Sequence, residues 1–283
     1  MKISVRKIIF YSVLLVFLGI FCYAGYRMLD IIGNYREIEV AYDHIAELAV
    51  QTVPTEPNSS DADDFSLEET SVAECYDLTD APGDSTDYGY CTDHIQIPIV
   101  IDFDVLREIN PDIVGWIYCE GTSINYPVLQ GETNDTYLYH RYDGTYSSGG
   151  SIFMDYRCES DFTDDYTVIY GHNMLSDSMF NSLDYFRKQS YLDKHSRLFY
   201  LTPSGKNYCL EVICTNVTAY KDDLRLFELR DDERNLDLIR ASAEADTGID
   251  ADNDDQLVLL ATCTYDYNNA RCTLLCKAIE IGP

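Results

Sequence analysis

Residues 256–281, QLVLLATCTYDYNNARCTLLCKAIEI, decide the fold. LVLLATC (257–263) is a short apolar run, and RCTLLCKAIEI (271–281) is a second one. Between them lies a polar connection, TYDYNNA (264–270), in which Asn268-Asn269 tolerates the tight backbone of a turn. The pattern reads as two strands joined in a hairpin. Six more short runs precede it: VGWIYC (114–119), INYPVLQ (124–130), SIFMDY (151–156), YTVIYG (166–171), RLFYLT (197–202) and YCLEVICTNVTAY (208–220). Clusters of Gly, Asn, Asp and Ser separate most of them, so the region is expected to be mainly β, a closed or nearly closed barrel of about eight strands. Two helices interrupt it. DFDVLREIN (102–110) spaces Phe103, Leu106 and Ile109 helically before Pro111, and 224–244 does so with Leu226, Leu229, Leu236, Leu238 and Ile239.

Upstream of the barrel the composition changes twice. Residues 8–26 carry no charged side chain and as a helix span about 28 Å, close to the thickness of a bilayer's hydrocarbon. Lys2, Arg6 and Lys7 precede this run, which predicts a retained signal-anchor with a cytoplasmic N-terminus (1–7), a single membrane span over 8–29, and export of the rest. A cleaved signal peptide is disfavoured by the long apolar run and by the lack of a small-x-small cleavage site. Ile31, Ile32, Tyr35, Ile38, Tyr42, Ile45 and Leu48 then recur at helical spacing, as in a helical stalk over 30–50. From 51 to 94 there are twelve Asp or Glu and no Lys or Arg, a composition that buries little and repels itself. It reads as an acidic linker, with the β-rich domain following over 95–283.

The whole chain has 49 acidic and 20 basic side chains, a net charge of -29. That balance excludes a nucleic-acid-binding surface, which needs clustered Lys and Arg. The sequence contains no paired CxxC and no HExxH, and the acidic run 250–255 lacks the glycine and glutamate of a calcium loop. No metal and no cofactor are expected.

Three residues carry the candidate chemistry. Cys263 ends one strand, Arg271 begins the next, and the hairpin returns the guanidinium to the rim that holds the thiol. His172 follows the strand that ends at Tyr170-Gly171, where its ring can join the same rim. A thiolate is the working nucleophile, and an imidazolium beside it lowers the thiol's pKa and later protonates a leaving amine. Arginine remains protonated near neutrality, so its job is hydrogen bonding to a carbonyl and to the oxyanion that forms from it. Together the three suggest acyl transfer through a thioester.

These stretches resemble the class B sortases, membrane-anchored cysteine transpeptidases of Gram-positive surfaces. The resemblance runs in order through INPDIVGWI (109–117), INYPVLQG (124–131), TNDTYLYH (133–140), GSIFMDYR (150–157), VIYGHNM (168–174) and ATCTYDYNNAR (261–271). It implies that His172, Cys263 and Arg271 are catalytic and that Asn134, Leu138 and Tyr170 line the substrate groove. It further implies a sortase-type barrel with N-terminal helices, residues 224–244 being the helix of the family's β6–β7 connection. The implied reaction cuts the C-terminal sorting signal of a surface protein after Thr and passes the acyl group to an amine of a cell-wall precursor or a pilin. Ala261 departs from the Ser that many members carry, and the acidic linker is longer than usual. Two other readings stay open at this point: an exported cysteine peptidase in which water resolves the thioester, and a catalytically silent adhesion or scaffold domain.

Eight further cysteines lie beyond the membrane run: Cys75, Cys91, Cys119, Cys158, Cys209, Cys214, Cys272 and Cys276. Cys272 and Cys276 are about 13 Å apart on an extended strand, too far to bond each other. Cys75 and Cys91 have the spacing to close a loop within the linker. Most are expected to be reduced.

Overall fold

The computed structural model describes residues 5–52, 95–219 and 236–282, apart from positions 253, 265 and 267. All eight strands expected from the sequence are present: β3 (Ile113–Tyr118), β4 (Asn125–Leu129), β5 (Ile152–Met154), β6 (Tyr166–Tyr170), β7 (Arg197–Leu201), β8 (Asn207–Ala219), β10 (Leu257–Cys263) and β11 (Ala270–Ile281). They hydrogen-bond in the order β11-β10-β6-β5-β4-β3-β7-β8, and β8 pairs again with β11, which closes the barrel. Closure leaves none of these strands as a bare edge. The buried core on the two faces of the sheet includes Trp116, Tyr200, Phe162, Ile117, Ile152 and Leu129, all fully buried. The expected helix at 102–110 is α2 (Phe103–Ile109), whose first turn is capped by the Asp102 carboxylate accepting from the Asp104 and Val105 N–H groups. Two-residue β9 (Ala245–Asp246) adds to β8 outside the closed ring. Of the helix expected over 224–244, residues 224–235 lie outside the described residues, and its far end is α3 (Leu236–Ala241).

At the N-terminus the segments expected as anchor and helical stalk are joined. One continuous helix, α1 (Val5–Ala49), joins the apolar run to the stalk. By length and composition it can cross a membrane, and its apolar part is exposed. Further along, one face turns inward. Ile38, Tyr42, Ile45 and Ala49, at helical spacing, are all buried against the barrel. The Tyr42 hydroxyl donates to the Gly150 carbonyl at 2.8 Å and reaches Ser151 Oγ at 3.1 Å, while Tyr142 donates back to the Ala41 carbonyl. Ile31, Ile32 and Leu48 of the expected stripe stay exposed.

Directly after α1, β1 (Val50–Thr52) pairs antiparallel with β2 (Ile99–Ile101), Thr52 opposite Ile99. The acidic stretch from 53 to 94, with Cys75 and Cys91, lies outside the described residues. Its two flanks are neighbours in one small sheet.

Candidate active site

Strand pairing assembles the rim. β10 runs parallel to β6, Ala261 opposite Tyr170, and antiparallel to β11, Cys263 opposite Arg271. Directly opposed residues of an antiparallel pair share a face with Cβ atoms about 5 Å apart. Cys263 therefore sits between Arg271 on one side and the exit of β6, Gly171-His172-Asn173, on the other. Thr262 Oγ1 donates to the Gly171 carbonyl at 2.7 Å, and the Gly171 N–H donates to the Ala261 carbonyl. A Cβ at position 171 would collide with Ile152 and Phe180, so only glycine lets β6 turn this close to the core.

The histidine is held in one orientation. His172 Nε2 lies 2.7 Å from the Leu138 carbonyl. A carbonyl oxygen only accepts, so Nε2 carries the hydrogen, and Nδ1 is left as the atom that takes up and releases a proton. The ring also rests beside Tyr139, 5.8 Å between centroids, and the Phe180 N–H donates to the His172 carbonyl. Next in sequence, Asn173 Nδ2 donates to the Cys263 carbonyl at 2.7 Å and to Asp184 Oδ2 at 2.9 Å. The strand end that carries the thiol is thereby clasped to the strand end that carries the imidazole. The Arg271 guanidinium donates to the Ala270 carbonyl, and the residue is partly exposed.

Exposure distinguishes Cys263 from the other thiols of the barrel. It is half-buried, whereas Cys119, Cys158, Cys209, Cys214, Cys272 and Cys276 are buried. Burial pushes the Cys209 thiol up to about 11 and those of Cys119 and Cys214 up to about 12, and it raises Cys272 and Cys276 as well. Such thiols stay protonated and behave as small apolar side chains. Cys119, Cys209, Cys214, Cys272 and Cys276 are free, in keeping with the reduced state expected for them.

The three residues expected to line the groove divide into two arrangements. Leu138 contributes its backbone, the carbonyl that orients His172. Asn134 and Tyr170 converge instead on Asp155, a carboxylate that the sequence analysis left without a role. Asp155 is fully buried and accepts from Asn134 Nδ2 at 2.8 Å, the Tyr170 hydroxyl at 3.3 Å, the Arg157 N–H and the Arg157 guanidinium at two positions, both 2.9 Å. Asn134 Oδ1 accepts in turn from the Tyr156 N–H. Asp155 and Arg157 lie inside the GSIFMDYR stretch, but their partner Asn134 is 21 residues away and no spacing rule reveals it.

This network has a pH signature. Burial alone would raise the Asp155 carboxyl, but the Arg157 guanidinium and N–H and the Asn134 amide outweigh it and hold the group below its ordinary value. A depressed carboxyl stabilises the fold above about pH 4, the unfolded value, and this contribution is lost as pH falls through the folded value. Asp155→Asn is expected to cost about 3 kcal/mol at neutral pH, measured by urea unfolding. Its stability should also fall less steeply than the wild type's below pH 4. Equal acid slopes in the two proteins would contradict this assignment.

Comparison with known proteins gives a consistent answer. The Sortase domain family matches residues 117–278. Sortase B of Staphylococcus aureus is 34% identical over 185 residues, 64% of this chain and 75% of that protein. The solved structure of the Staphylococcus aureus sortase B-substrate complex superposes with a TM-score of 0.56 at 32% identity, covering 64% of this chain and 85% of that one. A Streptococcus pyogenes class B sortase involved in pilus biogenesis superposes at 0.58 with 30% identity, covering 63% and 98%.

Proposed function

This chain belongs to the sortase family, class B, and is a cysteine transpeptidase acting on surface-protein sorting signals; from that premise we propose that His172, Cys263 and Arg271 are its catalytic residues. The Cys263 thiolate attacks the carbonyl carbon of a Thr in the sorting signal. The tetrahedral intermediate collapses as the C–N bond breaks, and His172 Nδ1 delivers its proton to the departing amine. Arg271 donates to the substrate carbonyl and to the oxyanion. An incoming amine, from a cell-wall precursor or a pilin lysine, then attacks the thioester, His172 takes its proton, and the thiol is regenerated. The observation that carries this reading is the register that sets Cys263 opposite Arg271 while Leu138 fixes the tautomer of the neighbouring His172.

Asn134, Leu138 and Tyr170 are assigned to the substrate groove, their positions held by Asp155 and by the bond to His172. The catalytic unit comprises the barrel with residues 38–52 and 95–282. The apolar part of α1 crosses the membrane with its N-terminus in the cytoplasm, and the barrel lies outside. Between Arg27 and Ile38 the helix rises by about 17 Å, which keeps the barrel close to the bilayer surface, where a membrane-linked amine acceptor is presented.

The test is product analysis. Full-length protein in detergent, incubated with a library of sorting-signal peptides, should release the C-terminal fragment and, with an added amine, form the amide product. Hydrolysis unaffected by amine would indicate a peptidase. Failure to cleave any peptide would overturn the assignment.

A further inference from the structure

The 3-10 segment Asn181–Arg187 packs against the rim and grips it at two points. At its start, Asn181 Nδ2 donates to Asn173 Oδ1 and Asp184 Oδ2 accepts from Asn173 Nδ2, the amide that also holds the Cys263 carbonyl. At its end, Arg187 reaches the connection that joins Cys263 to Arg271. Its Nη1 and Nη2 donate to the two carboxylate oxygens of Asp266, both at 2.9 Å, and its Nε and Nη2 donate to Glu244 at 2.6 and 3.1 Å. Asp266 Oδ2 also accepts from Thr264 Oγ1 at 2.6 Å, one residue beyond the nucleophile, and the Thr264 N–H donates to the Ala270 carbonyl. The pairing with Arg187 holds the Asp266 carboxyl below its ordinary value.

We propose that Arg187 is a positioning residue for acyl transfer: its fork fixes Asp266, and through Asp266 the loop whose two ends are Cys263 and Arg271. The inference rests on the assignment of those two residues as catalytic. Two physical arguments carry it. A planar guanidinium bonded to two carboxylates at once defines a direction as well as a charge, which an ammonium cannot reproduce. Without Arg187, Asp184, Glu244 and Asp266 would face one another as like charges, and the loop would relax away from its present path. The ion pairs are half-exposed and so contribute little to overall stability. Their effect falls on geometry, where a displacement of about 1 Å at reacting groups costs on the order of a hundredfold in rate.

The experiment measures transpeptidation of a cleavable sorting-signal peptide by the full-length protein. Arg187→Ala should lower kcat roughly tenfold with KM changed less than about twofold and with the melting temperature essentially unchanged. Arg187→Lys should recover only part of the loss. Asp266→Ala should reproduce it, and the double variant should be no slower than either single variant, because all three remove the same constraint. An unchanged kcat in Arg187→Ala would overturn the proposal. So would a loss that tracks a fall in melting temperature, or a double variant as slow as the product of the singles. Cys263→Ala, assayed alongside, tests the underlying assignment separately: retained turnover in that variant would remove the assignment, whatever Arg187 does.

Discussion

A chain truncated to residues 95–283 is expected to lose cooperative folding, although it contains every strand of the closed barrel. The truncation removes Ile38, Tyr42, Ile45 and Ala49, all buried against the barrel, and leaves β2 without its partner β1. It also removes the Tyr42 hydroxyl from the Gly150 carbonyl and from Ser151. Burying one large apolar side chain is worth about 1.5–3 kcal/mol, so the four together account for roughly 5 kcal/mol or more. A domain of this size has only about 5–15 kcal/mol in total. The exposed patch left behind would also promote aggregation. Urea unfolding followed by near-ultraviolet circular dichroism should show a broad, early transition, whereas a chain beginning at residue 30 should unfold sharply. Equal midpoints for the two truncations would show that α1 does not belong to the folding unit.

Activity should suffer as well, because α1 braces the cradle of the histidine. The Gly150 carbonyl that accepts from Tyr42 belongs to a residue with φ of 53°, packed against the carbonyls of Tyr137 and Leu138. Leu138 is the residue that orients His172. Helix α1 and the His172 ring are thus separated by only a few hydrogen-bonded residues.

The second large effect is expected at His172 itself. His172→Ala should lower kcat/KM for sorting-signal cleavage by about a thousandfold or more, at the upper end of what general acid–base groups supply. The loss combines two roles: the imidazolium that favours the thiolate, and the proton donor for the leaving amine. Stability should change little, since the ring is only partly buried. The two roles separate with a substrate whose leaving group needs no proton. A thioester or activated ester should recover much of the lost rate of acylation at high pH. An equal loss on both substrates at all pH values would indicate that the histidine serves structure rather than proton transfer.

The sequence makes the barrel legible because its strands are short apolar runs separated by turn-forming clusters, and the hairpin 257–281 places Cys263 and Arg271 together by connectivity alone. His172 is legible because it follows a strand directly. The parts that escape have a common physical cause: they are set by contacts between distant segments. Asp155 gathers Asn134 and Tyr170 from other elements, and the three-residue spacing of buried Phe180, Leu183 and Phe186 announces a turn but not the reach of Arg187 to Glu244 and Asp266. The acidic stretch shows the same limit. Its composition is that of a linker and says nothing of where its flanks go, and these prove to be the paired β1 and β2.

The central claim is that a half-exposed Cys263 forms a thioester with the sorting signal. Its most direct test is mass spectrometry of the full-length protein after incubation with a cleavable sorting-signal peptide, without added amine and quenched in acid. A mass gain equal to the N-terminal acyl fragment is expected, mapped by digestion to Cys263 and discharged by hydroxylamine or by a primary amine. An adduct mapped to any other residue, or full cleavage by Cys263→Ala with no adduct at all, would contradict it.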